Sequence, residues 1–181
     1  NIRLCKYIYK NLSDITDFVV SLDSHKNISI FHEIFWVNQQ DEHPEPSTII
    51  TYNDIKNGIW LINPNICSIL GISYDDLQNY ALDYTSELEK RNKFNLSIWP
   101  YHGMIGGIGH ALVSSVEESI FFHNIARETM MDIQLKGSNP ITESFSIFGA
   151  EFKNKLNKEK KNSRLIRYLL NFDKIIITGQ A

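Results

Sequence analysis

Four short strand-like runs, each closing on residues able to do chemistry, constrain this chain more than any other feature. Phe18 to Leu22 closes on Asp23-Ser24-His25, and Phe94 to Ile98 on Trp99-Pro100-Tyr101-His102. Met131 to Leu135 closes on Lys136-Gly137, and Lys174 to Thr178 on Gly179-Gln180-Ala181. The first run is apolar almost throughout, the pattern of a strand buried on both faces of a parallel sheet. Between the runs stand stretches of helical period. Leu4, Ile8, Leu12 and Ile15 mark an opening helix, and a second runs from Tyr74 to Arg91. A third spans His110 to Thr129 on a stripe of Leu112, Val116, Ile120 and His123, and a fourth reaches from about Lys158 to Leu170. This alternation predicts an α/β domain, a parallel sheet with helices on both faces.

A chain of 181 residues, 43% of them hydrophobic, is expected to form one domain over 1–181 with a core of its own. The polar, proline-bearing stretch from Gln39 to Asn65 reads as loop with a short hairpin. Extended through the helix beyond it, the segment 39–95 is longer than a minimal crossover needs and is expected to be an insertion or lid. The chain begins without Met and stops directly after an apolar run, which predicts truncation at both ends.

Several function classes are disfavoured. A net charge of -3 gives no basic field for a polyanion, and the basic run from Lys153 to Lys161 reads as a solvated helix approach, so no nucleic-acid partner is expected. No apolar run approaches the roughly 18 to 20 residues of a membrane span. Without an export signal or a cysteine framework, Cys5 and Cys67 being far apart, the expected compartment is the cytoplasm. A homo-oligomer is left open.

In parallel sheets ligands bind beyond the carboxyl ends of the strands, so the run ends are where a site is expected. Asp23 and His25, one residue apart, combine a carboxylate with an imidazole, which suits a divalent metal, zinc ahead of iron or manganese. His102 is the natural third ligand and His32 a fourth, although the same residues fit a surface turn and a loop histidine. Lys136 can stabilise an anionic nucleophile or an oxyanion, or can simply reach solvent. Phe35 and Trp36 fit either an aromatic wall for a flat ligand or the core. The glycine turn from Gly103 to Gly109 matches no phosphate-binding fingerprint and reads as a close-packed turn passing near the metal. Neither cysteine follows a strand, so neither reads as a nucleophile.

Asp23-Ser24-His25 with His32 and Phe35, then Trp99-Pro100-x-His102, then Lys136-Gly137 resembles the nicotinamidase branch of the isochorismatase-like cysteine hydrolases. The stretch from Ile98 through Ile147, with GGIGHALVSSVEESIFFHNIAR and KGSNPITESFSIFG, is similar to bacterial members of that family. The resemblance implies the isochorismatase-like fold and a metal-dependent amidohydrolase that converts nicotinamide to nicotinic acid and ammonia in NAD salvage. It implies that Asp23, His25 and His102 bind the metal with His32 near it, that Lys136 is the catalytic lysine, and that Phe35 and Trp36 border a small amide substrate. The family's catalytic Asp and Cys would lie outside this sequence, with Gln180 and Ala181 approaching the oxyanion hole, and Gly103 stands where many relatives have cysteine. A relative without turnover, binding a metal or small molecule, and a hydrolase of another small amide are the alternatives.

Overall fold

A computed structural model describes residues 1–179 of the chain. It is a mixed α/β structure whose parallel sheet is small. Strand β1 (Val19–Asp23) pairs in parallel with a strand late in the chain, Asp132–Lys136, in the register Val20 to Ile133 and Asp23 to Lys136. Strand side chains alternate between faces. Val20 therefore points to one side, where it packs with Ile8 of helix α1 (Ile2–Lys10) and with Val116 and Ile120 of the helix Ser114–Arg127. Gln134 points to the other side and accepts a hydrogen bond from Asn162 at 3.0 Å. Asn162 also caps the helix Ser163–Leu169, and Tyr168 of that helix donates to Asp17, so helices lie on both faces of the pair.

The segment between these strands builds the larger core. In chain order it holds a single 3-10 turn (Glu33–Phe35), β2 (Trp36–Val37), β3 (Ile49–Ile50), α2 (Tyr52–Lys56), β4 (Leu61–Ile62), α3 (Pro64–Leu70), α4 (Tyr74–Lys90) and β5 (Leu96–Ser97). The helix Ser114–Arg127 is then α5, the strand Asp132–Lys136 β6, and the helix Ser163–Leu169 α6. Two antiparallel ladders, β2 with β4 and β3 with β5, tie this segment together. Helix α4 starts where the Ser73 hydroxyl accepts from the Asp76 backbone, and it buries Leu77, Tyr80, Ala81, Tyr84, Thr85 and Leu88, the recurrent spacing of one helical face. That face packs against Ile30, Phe35, Trp36, Ile50, Ile62, Ile66 and Phe152. Each such large side chain contributes about 1.5–3 kcal/mol when fully buried.

Several expectations change. Helix α2 and the start of α3 stand inside the stretch read as loop. Both are nucleated by local caps: Thr51 and Asp54 form a reciprocal capping box, and Asn63 precedes Pro64 at the first helical position. The opening helix ends at Lys10, before Leu12 and Ile15. The fourth helix is shorter than expected because its cap is Asn162, which leaves Lys158 to Lys161 outside. Of β1 only Val20 is buried, because the sheet has two strands and its other face is polar. Lys174 to Thr178 forms no strand, and Ile177 is 92% exposed. No helix among the described residues is long and apolar enough to cross a membrane.

Candidate metal site at the ends of β1 and β6

The parallel register sets Asp23 beside Lys136 at the carboxyl ends of the two strands, and their side chains form an ion pair. Lys136 also donates to the Ser144 carbonyl at 3.2 Å, so the amine is anchored on two sides. Past Asp23 the chain turns. The Ser24 amide donates to the Lys136 carbonyl at 2.8 Å, and the Ser24 hydroxyl meets Nε2 of His110 at 2.7 Å. The His25 amide then donates to the Gly103 carbonyl at 2.9 Å, and the Ile105 amide returns a bond to the His25 carbonyl at 3.0 Å. The glycine turn thus runs alongside His25, as its composition led one to expect.

Two glycines make room for the imidazole. A Cβ on Gly137 would stand 2.7 Å from Cε1 of His25, and one on Gly103 would stand 2.8 Å from the Asp23 carbonyl oxygen and 3.2 Å from Cδ2 of His25. Both residues have positive φ, which disfavours any side chain there independently of space.

One ligand atom each from Asp23, His25 and His102 lie within 4.8 Å of one another. The surroundings suit a cation. A carbonyl only accepts, so the contact of His25 Nδ1 with the Gly137 carbonyl at 3.2 Å puts the proton on Nδ1 and frees Nε2. His102 repeats the arrangement, its Nδ1 facing the Pro100 carbonyl at 2.8 Å. Imidazoles held through one nitrogen by a carbonyl, beside a carboxylate held by a lysine, are the outer-shell support that metal ligands require. Burial lowers the pKa of His25 against the opposing pull of the Gly137 carbonyl, and the neighbouring His102 lowers it further, which favours the neutral, ligating form.

His32 stands behind this group and outside the cluster of three. It is fully buried, its ring centroid 6.3 Å from that of His25 and 4.5 Å from that of Tyr101, and neither ring nitrogen completes a hydrogen bond. The Asn27 backbone lies close enough to raise its basicity, but burial outweighs that and brings the pKa down to about 4.

Other sequence candidates fall elsewhere. Phe35 and Trp36 are both 0% exposed, and the Trp36 indole donates to the Ile30 carbonyl at 2.7 Å; they are core residues here, because the large core takes up their rings. Cys5 donates its thiol to the Ser115 carbonyl, and Cys67 packs against the large core. Gln180 and Ala181 lie outside the described residues. Two open clefts, of about 270 and 300 Å³, are lined by other residues than Asp23, His25, His102 and Lys136. Of the three clustered residues, Asp23 and His102 are exposed and His25 is buried.

Glu143 joins this neighbourhood without any sequence signal, being one acidic residue in an irregular stretch. It is 9% exposed, and burial pushes its pKa up to about 7 against the pull of the Trp99 indole and Lys136. No family model matches the chain, and no curated protein or solved structure is significantly similar to it.

Proposed function

We propose that this chain is a divalent-metal-dependent hydrolase of small carboxamides, of the nicotinamidase type and with the isochorismatase-like arrangement. The observation that carries the reading is the convergence of Asp23, His25 and His102 within 4.8 Å at the end of a parallel strand pair whose other member presents Lys136. That donor set, one carboxylate and two neutral imidazoles, suits zinc, with iron and manganese also accommodated. A divalent cation held there supplies a Lewis acid. The chain's own residues supply the rest. Nε2 of His25 and of His102 is left free because backbone carbonyls hold Nδ1, and Lys136 supplies the positive charge that an anionic nucleophile or oxyanion needs. Asp23 holds that amine in place and so links the two halves of the site. In the nicotinamidase route a cysteine thiolate attacks the amide carbonyl, ammonia leaves, and water releases nicotinic acid from the thioester.

A second reading, a metal-binding module without turnover, is favoured by one observation: Cys5 and Cys67 are both engaged elsewhere. One experiment separates the two. Zinc binding by calorimetry is measured for wild type and His102→Ala, with ammonia release from nicotinamide followed in parallel with and without chelator. One equivalent of zinc lost in the variant, together with chelator-sensitive ammonia release, is the expected result. Zinc binding without ammonia release selects the second reading, and zinc binding unchanged in the variant overturns both.

A further inference from the structure

Between the two candidate ligands at the end of β1 stands a residue that neither reading uses. Ser24 is 0% exposed and lies between Asp23 and His25, so whatever fixes Ser24 fixes both neighbours. Its hydroxyl has one proton, and that proton goes to the Leu22 carbonyl at 3.1 Å. The contact of Ser24 Oγ with Nε2 of His110 at 2.7 Å therefore runs the other way: the imidazole donates and the hydroxyl oxygen accepts. The Leu22 carbonyl already satisfies the buried hydroxyl donor, so the imidazole is not needed for that purpose. What it adds is a tie between two segments. The pair is no nucleophile and base either, since Ser24 is fully buried and its proton is given to a carbonyl.

His110 stands 86 positions beyond Ser24, at the far end of the glycine turn that begins next to His102. That turn has few bonds of its own. The Gly107 amide donates to the Met104 carbonyl at 2.8 Å, the His110 amide donates to the Gly107 carbonyl at 3.0 Å, and Ile108 is fully exposed. The near end of the turn is held to His25 by the backbone bonds of Gly103 and Ile105, and the far end is held to Ser24 by the His110 side chain. Two residues further on, Leu112 packs into the small core with Val20 and Val116. His102 itself is exposed, and its Nδ1 contact, to Pro100, is local. A ligand on such a loop needs an outside brace if it is to hold one geometry.

We propose that His110 is a positioning residue of this site: its bond to the Ser24 hydroxyl locks the turn that carries Asp23 and His25 onto the segment that carries His102. The proposal deepens the metal-site reading and rests on it.

The test has two arms, one of which needs no metal. In the first, cobalt(II) is the probe, read by its visible absorption. Ser24→Ala and His110→Leu are each expected to weaken cobalt binding about tenfold and to alter the absorption band, as loss of an outer-shell partner does. The double variant is expected to bind no more weakly than either single one. His110→Gln keeps a side-chain N–H donor and is expected to restore most of the affinity. In the second arm, hydrogen exchange of the His25 and Ile105 amides is followed in metal-free protein. Both amides are expected to lose protection in Ser24→Ala and His110→Leu, while the amides of α4 keep their wild-type rates. Affinity losses that add in the double variant overturn the proposal. So does unchanged protection at His25 and Ile105, and so does exchange that quickens equally in α4, which would give His110 a role in folding alone. If wild type takes up no cobalt, the metal reading fails by itself, and the exchange of His25 and Ile105 then decides alone whether His110 sets the turn.

Discussion

The two halves of the molecule divide its tasks unevenly. The region around α4 packs Trp36, Tyr80, Tyr84, Phe31 and Phe35 into a core where each is 1% exposed or less. The pair β1 and β6, which carries the candidate site, rests on Ile8, Val20, Val116 and Ile120. The candidate site residues therefore sit on the thin part, and the segment 39–95 supplies much of the thick one. Stability and chemistry are separable in this chain, and substitutions can show it.

The largest effect is expected from the thick side. Trp36→Ala should lose about 3–5 kcal/mol, the range for emptying a large aromatic site, whereas Val20→Ala should lose about 1.5 kcal/mol for two methylene equivalents. Urea denaturation of both variants measures the difference, and equal losses would erase the contrast between the halves.

Next come two buried titratable groups with opposite signs, followed in metal-free protein. Glu143 is raised from 4.5 to about 7, so its contribution to stability is complete below pH 4.5 and is lost as pH rises through 7. His32 is lowered from 6.5 to about 4, so its contribution is present above pH 6.5 and is lost as pH falls through 4. Each is worth up to about 3 kcal/mol at full displacement. Between pH 4.5 and 6.5 the two slopes oppose each other and wild-type stability should be nearly flat. Glu143→Gln should make stability rise with pH across that window, and His32→Phe should make it fall. Denaturation midpoints at several pH values test the signs, and parallel slopes in the two variants would refute the opposition.

Smaller again is Gly137→Ala. The left-handed backbone there costs a side chain about 1–2 kcal/mol, and the new methyl would displace the His25 ring, so zinc affinity should fall more steeply than stability. The smallest effect belongs to His102→Ala, an exposed position where stability should stay within about 0.5 kcal/mol while zinc binding is lost. Calorimetry and denaturation on the same samples read both quantities.

These contrasts also mark how much of the molecule is legible in its sequence. Strand β1 and its closing Asp23-x-His25, strand β6 and Lys136, and helices α4 and α5 are visible in the pattern because each is a local apolar period with a polar end. That Asp23 meets Lys136 is a matter of register, and it follows once the two runs pair in parallel. Helix α2 is hidden because it is a single short helix held by the Thr51 and Asp54 box, and the start of α3 because Asn63 and Pro64 act there as cap and first residue and not as loop formers. Lys174 to Thr178 has the composition of a strand, yet pairing needs a neighbour, which composition does not provide. Phe35 and Trp36 suit two roles equally, and only the position of α4 separates them. Glu143 is illegible because it lies in an irregular stretch and is buried by tertiary packing, its amide donating to the Tyr84 hydroxyl of α4.

The two glycines against His25 carry a consequence for any survey of tolerated changes. Volume surrendered at position 137 is occupied by the His25 imidazole, and that at 103 by the Asp23 carbonyl with the imidazole edge beside it, so the constraint on the Asp23 to His25 turn is written at two places far from it in sequence. In a saturation scan both glycines would show as intolerant as a ligand, although neither has a side chain to contribute. His102, on its open loop, would instead accept most residues by the measure of folding and, if the proposed metal site is right, almost none by the measure of binding.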